Sequence, residues 1–282
     1  MRFLRHALLL AALGCNAEAA TLVERPGVEQ PAAVDEHAER HFLVNGCPQE
    51  MARVGKSCVD RYEAHLVSYG SGEVIHPHNR HPDPNTVYVA RSAPSVFPQG
   101  YVSRIESQAA CEQAGKRLCT FSEWRRACRG SRGQHYPYGH VESRGACSSG
   151  KDHLLARLHG SDSSQWKYEE HFNDPELALV PGFLDRTGAH SRCASEEGVF
   201  DLVGNLHEWV SGTVTDALMA RLERDDVERD EQPWTEGNGI FVGGFFSTAR
   251  ELGPGCLYTT VAHEPGYHDY STGFRCCMDA AP

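Results

Sequence analysis

Gly198 to Val210, GVFDLVGNLHEWV, gathers apolar, turn-forming and ligand-type residues into thirteen positions, and the reading of the whole chain turns on it. Val199, Phe200, Leu202 and Val203 supply apolar bulk, Gly204-Asn205 is a tight-turn signal, and Glu208 and Trp209 follow at once. Asp201 and Glu208 are hard oxygen donors flanking the turn. A turn of this kind can aim the main-chain carbonyls of Gly204 and Leu206 into the same space, which is the oxygen set calcium prefers. The competing reading is a plain hairpin turn with two solvated carboxylates.

A second group of motifs changes the weight of these readings. Cys111 to Gly130, CEQAGKRLCTFSEWRRACRG, is followed by Tyr136-Pro137-Tyr138-Gly139, and the chain closes through Gly243-Gly244 and Gly273-Phe274-Arg275-Cys276. Together, and in this order from Met51 to Cys277, they resemble the formylglycine-generating enzyme family, also called the sulfatase-modifying factor domain. The resemblance implies a mixed α/β (α+β) fold related to C-type lectins, with little regular structure, stapled by disulfides and calcium. It places Asp201, Gly204, Leu206 and Glu208 on calcium-ligand positions. Ser148 falls near a ligand position of a second calcium site, but the segment through Asp174 and Asp185 departs too far for that site to be carried over. It also implies two core bridges, Cys111 with Cys276 and Cys128 with Cys256.

Active relatives bind copper(I) through a cysteine pair just after the Gly-Gly turn, soft thiolates being the donors that metal selects. Here Gly243 to Gly253 reads GGFFSTARELG and contains no cysteine. The first catalytic position falls on or beside Thr248 and the second near Leu252 or Gly253, while Phe245 replaces the usual serine. Cys256 takes the structural-bridge position. Copper-dependent formylglycine generation is therefore not expected. An iron centre is the redox alternative, if His207, His263 or His268 converges with Glu264 or Asp269 as two histidines and one carboxylate.

With 282 residues, 40% hydrophobic and 23% charged, the chain can bury a substantial core. A net charge of -11 and a pI near 5.8 argue against binding to nucleic acid or to an anionic membrane. Met1 to Ala19 reads as an export signal: Arg2 and Arg5, the apolar run Ala7 to Leu13, then small residues. Leu13-Gly14-Cys15 resembles a lipoprotein box, with Ala12 where leucine is usual, and would make Cys15 a lipidation site; Ala17-Glu18-Ala19 suits ordinary cleavage. Membrane contact is expected only through that anchor. Without Cys15 ten cysteines remain, an even number suited to an oxidising compartment. The cysteines outside the two implied bridges suggest a local Cys47-Cys58 loop and the pairs Cys147-Cys193 and Cys119-Cys277, which spacing does not fix. The absence of any CxxC pair argues against a zinc-thiolate site.

Residues 20–45, with Pro26, Pro31 and many acidic residues, read as a flexible acidic tether, and 46–282 as the sulfatase-modifying-factor-like domain. Cys58 to Glu63 alternates like a strand. Helices are predicted from Ser103 to Ala114, stopped by Gly115, and after a cap at Thr120 or Ser122, stopped by Gly130, with Trp124 in the core. His76, His78 and His81 lie in a proline-rich loop and read as solvated. Asp216 to Glu236 reads as an exposed, solvated helix and loop, and Ile240 to Val242 as a strand. Three functions fit: an exported cell-envelope or secreted binding module for a peptide, glycan or small ligand; a divergent oxidoreductase acting on a protein or small molecule; or a structural envelope protein.

Overall fold

The computed structural model describes residues 43–70 and 72–282. The export signal, Cys15 and most of the tether lie outside the described residues. Two-residue strands β1 (Leu43–Val44) and β2 (Cys47–Pro48) form a hairpin, so the folded part begins slightly before Gly46. Strands β3 (Met51–Val54), β4 (Ser57–Asp60), β5 (Ala64–Tyr69), β6 (Glu73–Ile75) and β7 (Tyr88–Ser92) follow. The strand expected over Cys58 to Glu63 ends at Asp60, and Glu63 lies between β4 and β5.

Helix α1 (Arg104–Gln113) starts at a capping box in which Ser103 and Glu106 exchange side-chain and backbone hydrogen bonds. After the short strand β8 (Arg117–Leu118), helix α2 (Phe121–Arg129) repeats the device with Thr120 and Glu123 and stops at Gly130. Each Ser/Thr-x-x-Glu sequence satisfies backbone N–H groups that would otherwise be unpaired at a helix start. Trp124 is fully buried.

Largely irregular chain with a short α-helix, α3 (Leu154–His159), and brief 3-10 and π turns at Ser163–Gln165, Tyr168–Phe172 and Leu177–Leu179 leads to β9 (His207–Val210). Helix α4 (Asp216–Glu223), β10 (Ile240–Val242), β11 (Thr259–Thr260), β12 (Thr272–Phe274) and β13 (Cys276–Asp279) complete the fold. The charged insertion is not wholly solvated: Leu218 and Leu222 of α4 recur at i, i+4 and pack into the main core.

Besides the β1-β2 hairpin, the described residues form three sheets, ordered β11-β10-β9-β12, β3-β4-β13-β8 and β6-β5-β7. The pairing of β12 with β9 is parallel, and it sets Gly273 opposite Glu208. The result is a mixed α/β fold with much irregular chain. The described residues form five disulfides, Cys47–Cys58, Cys111–Cys276, Cys119–Cys277, Cys128–Cys256 and Cys147–Cys193. Cys276 and Cys277 are adjacent and point to opposite faces of β13, so the end of the chain is tied to α1 on one side and to the α2 cap region on the other. Among the described residues no helix is long and apolar enough to cross a membrane.

Candidate functional site

The turn at Gly204-Asn205 is built by close backbone approach. A Cβ on Gly204, at φ 79°, would lie 2.0 Å from the carbonyl oxygen of Ser148, so only glycine fits. Asn205 donates its backbone N–H to that same carbonyl at 2.8 Å. The turn presents donors to a nearby carboxylate: Leu206 N–H and the Asn205 amide donate to the two oxygens of Glu63 at 3.1 and 2.6 Å.

Asp201 and Glu208, expected to hold calcium together with the Gly204 and Leu206 carbonyls, are met by the protein's own donors. Glu208, buried on β9, takes both Nε and Nη2 of Arg275, at 2.6 and 2.7 Å, and the Trp124 indole N–H at 2.8 Å. Arg275 is itself fully buried and also donates to the carbonyls of Asp60 and Phe200. Asp201, at φ 59°, accepts the Gly188 N–H at 2.6 Å. Burial pushes the Asp201 carboxyl up to about 6 and outweighs the Gly188 hydrogen bond and the Arg275 charge. Burial, reinforced by the charges of Asp201 and Glu208, raises Glu63 well above the usual carboxylate range.

Near Ser148 a side-chain cation stands among the oxygens. The Lys151 ammonium donates to Asp185 Oδ2 at 2.7 Å and to the Phe183 carbonyl, and Ser148 Oγ donates to the same Asp185 oxygen. His190 Nε2 lies 3.0 Å from it as well. One carboxylate oxygen thereby meets three side chains.

A cleft of about 390 Å³ opens beside the Gly243-Gly244 turn. Gly244, at φ 72°, could not carry a side chain: a Cβ would lie 2.4 Å from the Thr248 carbonyl. The turn sets Phe245 in the cleft wall, with Leu252 beside it. His207, from the start of β9, packs against Phe241, Phe245 and Tyr258 at ring-centroid distances of 4.7, 4.9 and 5.4 Å. Its Nδ1 is buried without a partner. Burial pushes His207 down to about 3, so the imidazole is neutral at physiological pH. His263 stacks on Tyr267 at 3.9 Å and against Phe241 at 5.4 Å, and burial takes it down to about 4. The irregular segment after α3 contributes Trp166 and Tyr168. Sequence reading named His207 and His263 but passed over Trp166, Tyr168, Tyr258 and Tyr267; the density of aromatic and histidine residues from Tyr258 to Tyr270 was the available signal.

Neither redox metal considered from sequence fits the side chains. Every described cysteine is in a disulfide, and neither Thr248 nor Leu252 offers a thiolate, so the family's copper(I) site has no donors. For iron, His207, His263 and Asp269 all reach the cleft, but the Asp269 oxygens are taken by the Tyr267 hydroxyl at 2.6 Å and by Ser271 N–H and Oγ at 2.8 and 2.7 Å. His268 lies elsewhere, stacked on His81 at 3.7 Å with its Nδ1 2.9 Å from Asn173 Oδ1. Glu264 is not in the cleft wall. Among the described residues no three His, Cys, Asp or Glu side chains converge to hold a metal.

This fold, with the family's Gly-Gly turn beside a cleft and its thiolates absent, meets a family profile described as the sulfatase-modifying factor enzyme 1-like domain, which matches residues 56–280. The chain belongs to that family, as a divergent member without the copper-binding cysteine pair. No curated protein is detectably similar to it. Among solved structures, PvdO from Pseudomonas aeruginosa is 15% identical, with a TM-score of 0.45, over 79% of this chain and 80% of that one. CarF is 14% identical, with a TM-score of 0.42, over 80% of this chain and 87% of that one. The P3c variant of Major Tropism Determinant is 15% identical, with a TM-score of 0.42; this chain spans 53% of its length.

Proposed function

We propose that this domain is an exported, divergent oxidoreductase of the sulfatase-modifying factor family that takes a small organic substrate, free or carried on a peptide, into the cleft floored by His207. One observation carries the reading: a buried, neutral imidazole with an unpartnered Nδ1 lies in the aromatic cleft beside the Gly243-Gly244 turn. A buried polar atom without a partner is costly, and a catalytic or ligand-binding role is one explanation for it. A neutral His207 offers an N–H on one nitrogen and a lone pair on the other, so it can orient a polar atom of the substrate without adding charge. The five disulfides support export to an oxidising compartment, the bacterial envelope or beyond, on a scaffold of C-type-lectin-like kind. The electron acceptor is dioxygen, reduced to hydrogen peroxide as the substrate gives up two electrons and two protons; no step is assigned to a metal, because the donors for the family's copper are missing and those for iron do not converge.

The binding-module reading is favoured by that last observation. Oxygen uptake separates the two. The disulfide-intact exported domain, analysed for bound metals and given panels of thiol peptides, phenols, indoles and amines, should consume oxygen with at least one class. His207→Gln should lower that rate by about a hundredfold or more, the scale of a lost positioned polar group in an active site. Saturable binding with no turnover across the panels refutes the oxidoreductase and leaves a binding module.

A further inference from the structure

The cleft has a charge character that its aromatic content alone does not convey. Among the described residues no lysine or arginine lines it. Its three histidines, His153, His207 and His263, are all pushed below the usual histidine range by burial, so at neutral pH the wall carries no positive charge. Its one acidic side chain, Asp269, is only 4% exposed. The carboxylate is held rigidly by Tyr267 and Ser271, and burial raises it toward protonation, an effect a bound cation would oppose. The same wall includes the rings of Trp166, Tyr168, Phe245, Tyr258 and Tyr267, and an aromatic face attracts a cation through its negative quadrupole.

The surroundings reinforce this sign. Leu252 and Gln232 connect the cleft wall to a neighbouring groove of about 480 Å³, whose lining includes Glu223, Asp230 and Glu231. Beyond it, Glu228 and Glu251 line the next depression. The arginines of this region face acidic partners: Arg250 pairs with Glu142 at 3.0 Å, and Arg229 lies 3.6 Å from Asp225. A cleft lined by one sign of charge focuses the field and draws in the opposite ion.

We propose that the cleft selects a small organic cation of the alkylated-ammonium type, such as a quaternary ammonium group. The missing N–H groups are the reason for preferring an alkylated cation to a primary amine. A primary ammonium leaves water only if three acceptors replace its hydration, and the Asp269 oxygens already accept from Tyr267 and Ser271. An alkylated ammonium has no such requirement and is satisfied by aromatic faces and the nearby carboxylate. This assignment rests on the cleft being the substrate site, and it names the substrate class that site would accept.

Calorimetric titration of the full exported chain with choline and with 3,3-dimethyl-1-butanol, its uncharged carbon isostere, tests the charge directly. Choline should bind at least about tenfold more tightly than the isostere, as expected when a desolvated cation meets several ring faces. Ethanolamine, the primary amine, should bind more weakly than choline. Trp166→Leu, at a half-buried position, should cut choline binding several-fold while changing the isostere little. Equal binding of choline and its isostere, tighter binding of the isostere or of ethanolamine, or no choline binding overturns the assignment. These titrations do not depend on turnover. Choline selectivity without oxygen uptake would refute the oxidoreductase alone, and uptake with neutral substrates but no choline selectivity would refute the cation assignment alone.

Discussion

Replacing Asp201 by asparagine should make this protein more stable at neutral pH, although it removes a charge from a buried ion cluster. Asp201 is 4% exposed and shares its surroundings with Glu63, Glu208 and the single guanidinium of Arg275. Three carboxyls stand around one cation, and Glu208 already holds that cation through two hydrogen bonds. Burial lifts the Asp201 carboxyl from 3.8 to about 6. A carboxyl raised in the folded state binds its proton more tightly there than in the unfolded chain, so its contribution to stability falls as pH rises from about 4 to about 6. A shift of about two units at about 1.4 kcal/mol each gives a penalty of about 3 kcal/mol at pH 7. Asparagine is isosteric, tolerates the left-handed backbone at φ 59° and can still accept the Gly188 N–H. It also removes one of the charges that raise Glu63. Urea unfolding with disulfides intact and EDTA present should give nearly equal stabilities for wild type and Asp201→Asn near pH 4. By pH 7 the variant should lead by about 2–3 kcal/mol. A lead that does not grow with pH, or a variant less stable at pH 7, refutes the reasoning. A wild-type gain on adding calcium that the variant lacks would show that Asp201 is a metal ligand after all.

The same cluster predicts the opposite result at its centre: Glu208→Gln leaves the buried Arg275 without its bidentate partner and should cost about 3–5 kcal/mol in urea unfolding at pH 7. A loss under about 1 kcal/mol would mean that water reaches the pair. Gly204→Ala drives a Cβ to 2.0 Å from the Ser148 carbonyl in a left-handed conformation and should cost more than about 2 kcal/mol, seen as a lowered Tm or loss of soluble protein. Removing the Cys128–Cys256 bridge with paired alanines frees a loop spanning a sequence separation of 128 and should cost about 4–5 kcal/mol, readable as a shift in urea midpoint.

Local chemistry was legible in the sequence because its partners lie within a few residues. Ser103 with Glu106, and Thr120 with Glu123, are caps three residues apart, and both helices start where those residues put them. The Gly204-Asn205 and Gly243-Gly244 turns are equally local, since a left-handed backbone favours those residues whatever surrounds them. The missing copper thiolates could be read directly, because a side chain that is absent needs no geometry. What Asp201 and Glu208 do could not be read in this way. Their spacing suits an oxygen cage, but a carboxylate takes whichever donor the fold brings nearest: Glu208 receives Arg275, 67 positions further along, and Asp201 the Gly188 N–H, 13 positions back. Asp185 likewise receives the ammonium of Lys151 from 34 positions away. The cleft depended most on tertiary structure: its walls come from the aperiodic segment around Trp166, from β9, from the Gly243-Gly244 turn and from Tyr258 to Ser271. No periodicity encodes that convergence. The parallel pairing of β12 with β9 joins residues more than sixty positions apart, and long-range pairing of this kind is fixed by the packing of the whole chain.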